Sequence, residues 1–170
     1  MTVRPYLPAD FDYVRQWITD ARTHAMWCAN RLPYPFSCSD FDSFLREHAV
    51  LSGDRPYTAL SDDGTPVGFF CYTLNSDTGE GMLKFVVVDS ERRGRGIGQE
   101  MLRLAVRNAF ENGAEAVQLY VFAQNARAKH CYEKVGFTER RTDTDAFRFR
   151  FEKWSRCNMV IRKQEGSEIS

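Results

Sequence analysis

Val86-Val-Val-Asp-Ser-Glu-Arg-Arg-Gly-Arg-Gly-Ile-Gly98 is the stretch whose reading decides the fold. It completes a run, Leu83–Val88, whose three consecutive β-branched residues suit a buried strand. Glycines at 94, 96 and 98 then make a turn, and an amphipathic helix is predicted from about Gln99, with Met101, Leu102, Ala105, Val106, Ala109 and Phe110 at helical spacing. Asn112-Gly113 ends it, since these residues tolerate the left-handed conformation that closes helices. A strand, a glycine turn and a helix in that order gather free backbone N–H groups and the positive end of a helix dipole at one place. Such a place binds phosphate, and glycine lets the backbone approach it closely.

The glycines follow G-x-G-x-G, which is neither the G-x-G-x-x-G of a dinucleotide fold nor, lacking a Lys-Ser/Thr, a P-loop. Arg93, Gly96 and Gly98 after Val86–Val88 satisfy R-x-x-G-x-G, which resembles the pyrophosphate-binding signature of the GNAT superfamily of acetyl-CoA-dependent N-acetyltransferases.

Thirty residues on, Asn125-Ala-Arg-Ala-Lys-His-Cys-Tyr-Glu-Lys-Val-Gly-Phe137 resembles the same family's N-x-x-A-x-x-x-Y-x-x-x-G-F at Asn125, Ala128, Tyr132, Gly136 and Phe137. Local chemistry predicts a helix here independently: Asn125 is a good N-cap and Gly136 stands where a left-handed residue ends a helix. Asn125, Ala128 and Tyr132 share one stripe, and about 10 Å of axial rise separates the first from the last. An amide, a small residue and a phenol along that line suit a ligand running from a polar arm to a reactive sulfur. On a lone helix Tyr132 would be read as a core aromatic, and the glycine turn shifts the balance towards function.

The 170-residue chain is long enough to bury one substantial core, and one domain over 1–163 is expected, with a frayed tail at 164–170. Lys plus Arg and Asp plus Glu are 23 each, so no net field recruits nucleic acid or an anionic membrane. The Arg-Arg-Gly-Arg-Gly run is accounted for by the phosphate turn, which removes the case for a nucleic-acid binder. Five scattered cysteines with no C-x-x-C argue against a disulfide framework or a zinc site and for a reducing cytoplasm. The N-terminus lacks an apolar signal region, no run has membrane-spanning length, and the isolated His24, His48 and His130 show no metal-ligand spacing.

Taken in order, Val3–Leu7 reads as a strand and Asp10 as the cap of a helix carrying Phe11, Val14, Trp17 and Ile18. Residues 22–39, with Pro33 and Pro35, read as an irregular loop whose Trp27 and Tyr34 either plug the core or wall an acceptor pocket. Ser39 or Asp40 caps a helix bearing Phe41, Phe44, Leu45 and His48. Strands follow at 57–60, 67–74, 82–88, 116–123, 138–151 and 157–162, the first two joined by the turn Ser61-Asp-Asp-Gly-Thr65. The fold class is α/β (α+β): a mixed, mostly antiparallel central sheet flanked by helices, the order expected of a GNAT fold with splayed central strands.

The resemblance implies a set of roles. Val86, Val87 and Val88 lie along the pantetheine arm of acetyl-CoA, the backbone groups of Val86 and Val88 pairing with its amides like an added strand. The N–H groups of Arg93, Gly94, Arg95, Gly96, Ile97 and Gly98 hold the pyrophosphate, and Asn125 bonds the arm. A neutral primary amine, of a small molecule or a protein N-terminus, attacks the thioester directly. A backbone N–H of strand 82–88 meets the carbonyl oxygen, and Tyr132 is the general acid for the departing thiolate. Glu80 is the acidic candidate for general base, with water-mediated deprotonation as the alternative. No metal is implied, a homodimer is compatible with this reading, and the competing function is a module that senses acetyl-CoA without turnover.

Overall fold

The computed structural model describes residues 1–92 and 94–165. Seven strands run β1 (Thr2–Pro5), β2 (Arg55–Leu60), β3 (Pro66–Asn75), β4 (Glu80–Val88), β5 (Ala116–Phe122), β6 (Thr138–Phe149) and β7 (Glu152–Arg162). They form one sheet in the order β1-β2-β3-β4-β5-β7-β6. Every neighbouring pair is antiparallel except β4 and β5, which are parallel. Parallel neighbours need a long crossover, and here helix α4 (Ile97–Glu111) supplies it.

Helices cover both faces. On one, α4 buries Met101, Leu102, Ala105, Val106 and Ala109 against Val67, Leu83, Val117 and Leu119, and α5 (Ala126–Val135) adds Tyr132. On the other, α1 (Phe11–Trp17), α2 (Ala21–Cys28) and α3 (Cys38–Ser52) build an aromatic core of Phe11, Trp17, Trp27, Phe41 and Phe44 on Phe69, Phe85 and Val87.

Several local expectations change. The segment 22–39 is not all loop: α2 occupies its first third, capped by the Asp20 carboxylate, which accepts from Thr23 N–H at 2.7 Å. The helix hides from pattern reading because its buried stripe, His24, Trp27 and Cys28, is led by a histidine, and Ala29 and Asn30 (φ 51° and 55°) end it without a glycine. The cap of α3 is Ser37, whose hydroxyl accepts from Asp40 N–H while Asp40 accepts from Ser37 N–H, a reciprocal capping box. Asp10 does not cap α1 through its side chain. It is buried beneath Arg4, whose guanidinium donates to both carboxylate oxygens at 2.7 and 2.9 Å, and it also accepts from Leu7 N–H and Thr58 hydroxyl. Of the expected tail, residues 166–170 lie outside the described residues.

Candidate active site

The parallel pair β4–β5 is in register only from Glu80–Met82 against Ala116–Gln118. Beyond that the strands part, and a cleft of about 600 Å³ opens between them. On the α4/α5 side it is lined by Gly94, Gly96, Ile97, Gly98, Asn125 and Tyr132, and on the α2 side by Thr23, Met26, Trp27, Lys84 and Tyr120. The cleft thus passes through the sheet, with access from both faces.

The glycine turn ends at the head of α4. Gly94 and Gly96 have φ of 81° and 73°, which non-glycine residues adopt only with strain, and Gly96 is the N-cap. A Cβ built on either meets nothing within 4 Å, so bare backbone faces open space there. At Gly98 a Cβ would stand 3.3 Å from the Cys131 sulfur, a tight contact that glycine avoids where α4 and α5 approach. The first N–H groups of the 15-residue α4 have no helical acceptor and face that space with the dipole's positive end. These features fit a phosphate-bearing ligand. Arg95 is exposed and does not line the cleft, Arg92 is held by Asp89 at 3.4 Å, and Arg93 lies outside the described residues.

On α5, Asn125 caps the helix, its carboxamide oxygen accepting from Ala128 N–H at 3.4 Å. Its NH2 has no partner among the described residues and is free to donate into the cleft. Two turns on, Tyr132 is 7% exposed, packs edge-on to Phe137 at 6.0 Å, and makes no hydrogen bond through its hydroxyl among the described residues. Burial pushes this phenol well above its ordinary pKa, so it stays a proton carrier at neutral pH.

At the fork β4 carries a bulge. Phe69 pairs with Val87 but Cys71 pairs with Lys84, leaving one extra residue on β4, and Phe85 there has φ 53°. Lys84 and Phe85 consequently face the same side: Lys84 donates to Asp54 at 3.1 Å, and the Phe85 ring packs on Phe44 and His48 at 4.8 and 5.1 Å. A bulky residue in this conformation is strained by order 1–3 kcal/mol and persists only where its surroundings fix it. Trp27 fixes it, its indole N–H donating to the Phe85 carbonyl at 2.8 Å. Past the bulge, Asp89 N–H bonds Val67 carbonyl at 2.8 Å and Val87 pairs with Phe69. Antiparallel alternation therefore turns the backbone groups of Val86 and Val88 towards the open edge, where β5 has departed.

Glu80 is not brought to this place. It lies at the closed end of the fork, bonded to Arg140 at 2.8 Å and to the Gln118 amide at 2.9 Å, and the hydrogen bond from Arg140 holds its carboxyl below the usual range. Tyr34 is also absent from the cleft: it is 41% exposed and packs on His24 at 5.0 Å. Trp27 does line the cleft, but from helix α2 and not from a loop. Sequence reasoning missed Thr23, Met26 and Lys84. For Lys84 a signal existed, because continuing the fork's register two residues sets it level with Tyr120. Among the described residues no group of three or more His, Cys, Asp and Glu is placed to hold a metal, and no helix is long and apolar enough to cross a membrane.

Comparison with known proteins places this geometry. The sequence model of the acetyltransferase (GNAT) family matches residues 11–137. A mycothiol acetyltransferase of Propionibacterium freudenreichii subsp. shermanii is 34% identical over 87 residues, 50% of this chain and 28% of that one. One from Corynebacterium efficiens is 37% identical over 113 residues, 66% of this chain and 34% of that one. The chain therefore spans about a third or less of the length of these curated relatives. The spermidine N-acetyltransferase of Vibrio cholerae, solved in complex with CoA and spermine, superposes with a TM-score of 0.79 at 18% identity over 95% of this chain and 94% of that one. At that identity the likeness is one of fold.

Proposed function

The chain belongs to the GNAT acetyltransferase family, and from that premise we propose that it transfers the acetyl group of acetyl-CoA to a primary amine by direct attack. The observation that carries the proposal is the fork itself: strands that pair for three residues and then part, with a phosphate-fitting helix N-terminus, a free strand edge and an unpartnered phenol along one side of the opening.

Each residue has a physical task. The N–H groups from Gly94 to Gly98 and the head of α4 neutralise the pyrophosphate without a side chain in between. The edge groups of Val86 and Val88 pair with the pantetheine amides as a missing β5 would, and the Asn125 amide donates to the same arm. The bulge at Phe85, held by Trp27, aims backbone N–H groups at the position of the thioester oxygen, where they stabilise charge as it develops. Tyr132 donates a hydrogen bond to the departing sulfur. With its phenol raised far above a thiol's ordinary value of about 8.5, outright proton transfer is uphill, so its contribution is a charge-stabilising hydrogen bond, while the proton lost by the attacking nitrogen reaches the thiolate directly or through solvent. The amine enters from the other face, past Trp27, Lys84 and Tyr120.

The test couples binding to turnover. Acetyl-CoA should bind in calorimetry, and a panel of amines should include at least one that releases free thiol in stoichiometry with acetylated product. Gly96→Val should bind acetyl-CoA at least tenfold more weakly, since its side chain would project into the space assigned to phosphate. Wild-type affinity in that variant would remove the turn from the site, and binding without transfer to any amine would leave a sensing module.

A further inference from the structure

We infer that the acceptor is a weakly basic, peptide-type α-amine whose tail carries a carboxylate, recognised at Tyr120 and Arg141, and not a polyamine. The inference rests on the transfer reading above and narrows it to a substrate class.

The first observation is the charge of the cleft. Among the described residues no Asp or Glu lines it, whereas Lys84, Arg92, Arg127 and Lys134 do. Three acids of the surrounding strands and loops are committed: Asp54 is 2% exposed and bonded to Lys84, Asp143 holds Arg156 at 3.2 Å, and Glu80 holds Arg140. A polycationic amine would find no free carboxylate there. The second observation concerns deprotonation. Direct attack requires the neutral amine, and no carboxylate is at hand to take its proton. At pH 7.5 an α-amine with a pKa of 7.7–8.0 is about one-third neutral, against roughly 0.1% for an alkylamine near 10.4, a difference of roughly 250-fold in reactive species.

The third observation says where an anionic tail would sit. Tyr120 lines the cleft, as Lys84 does, and two guanidiniums contact Tyr120. Arg156 stacks over its ring at 4.6 Å, and Arg141 donates to its phenol oxygen at 3.0 Å. That hydrogen bond occupies the oxygen and leaves the Tyr120 O–H as a donor. Arg141 has no ion-pair partner among the described residues, and Arg156 Nε has no acceptor, so this corner holds more donors than acceptors. A carboxylate satisfies both the Tyr120 hydroxyl and the Arg141 fork.

Three acceptors separate the possibilities by thiol release at fixed acetyl-CoA: Ala-Ala-Glu, Ala-Ala-Arg-amide and spermidine. The expected order in kcat/KM is Ala-Ala-Glu at least tenfold above Ala-Ala-Arg-amide, with spermidine lowest. Arg141→Gln should narrow the ratio between the two peptides to under threefold, and Arg141→Glu should invert it. Arg141 is exposed, so neither change threatens the fold. Spermidine as the best acceptor, or equal use of the two peptides, overturns the acceptor class and leaves the transferase reading standing. Acetyl-CoA binding with no acetylation of any of the three overturns the acceptor class, and the wider amine panel then decides between a transferase and a sensing module.

Discussion

Tyr132 shows how one side chain serves two scales of organisation. Its ring belongs to the core, packed beside Phe137, while its hydroxyl at the cleft has no partner among the described residues. Tyr132→Phe keeps the packing and removes only the donor, so fold and acetyl-CoA affinity should hold. A hydrogen bond that matters mainly as charge builds on sulfur is lost from kcat more than from binding. Removal of one such donor from a dry site costs about 3 kcal/mol, roughly a hundredfold in rate. Single-turnover transfer at pH 6–9 measures this, and equal rates for variant and wild type would reduce Tyr132 to a packing residue. The motif made Tyr132 legible because helical spacing ties it to Asn125 within one element. Glu80 was misplaced because acidity alone says nothing about which end of a strand lies at the fork.

Between residue and molecule stands the contact of α2 with the β4 bulge. No local rule places Phe85 at φ 53°: the strand pattern there is uninterrupted, and the bulge exists because Phe44, His48 and Trp27 enclose the ring and Trp27 takes up its carbonyl. Trp27→Phe retains an aromatic ring but leaves that carbonyl unpaired, which costs about 1–3 kcal/mol. Urea unfolding should register the loss. If the bulge aims the N–H groups used in transfer, kcat should fall at least tenfold while acetyl-CoA affinity changes less than threefold. Lower stability with undiminished kcat would make Trp27 a core plug and nothing more. The turn Gly94–Gly98, by contrast, was legible from sequence, because glycines between a buried strand and an amphipathic helix meet a local backbone requirement.

At the scale of the whole molecule, buried Asp10 and His24 and half-buried His48 contribute to the response to acid. Burial lowers the pKa of His24, and that of His48 beside Asp54, below the ordinary histidine value. Asp10 is raised by burial but pulled lower still by Arg4, Leu7 N–H and Thr58, with a net shift downward. All three folded values are depressed, so the unfolded chain binds more protons and stability falls with falling pH. The histidine part is fully present above pH 6.5 and is lost below it, as pH falls towards the folded values. The Asp10 part is present above about pH 4 and is lost as pH falls through its folded value. Urea midpoints across pH 3–8 should therefore decline in two stages. Asp10→Asn should lower the midpoint at pH 7, with a loss of about 1–3 kcal/mol as partly exposed Arg4 loses its charged acceptor, and should flatten the lower stage. An undiminished slope below pH 4 in that variant would place the acid sensitivity elsewhere.

The sequence by itself determined those features whose causes are local. Strand alternation, helical spacing, the glycine turn, the Asn125 cap and the Gly136 stop each depend on residues within one or two turns of chain, and together they specified the elements and their order, while the mixed sheet was implied by the family resemblance. Only the tertiary structure decided what happens between elements: where β4 and β5 part, that Trp27 rides on a helix and braces the bulge, that Tyr34 packs away from the cleft, and that Glu80 belongs to Arg140. Residues 10 to 60 positions apart meet there, and no periodicity records such a meeting. The same holds for the acceptor corner, where Tyr120, Arg141 and Arg156 come from three strands whose order in the sheet is not their order in the chain. Register and strand order set which charges face one another, and these are fixed by the packing of the whole core.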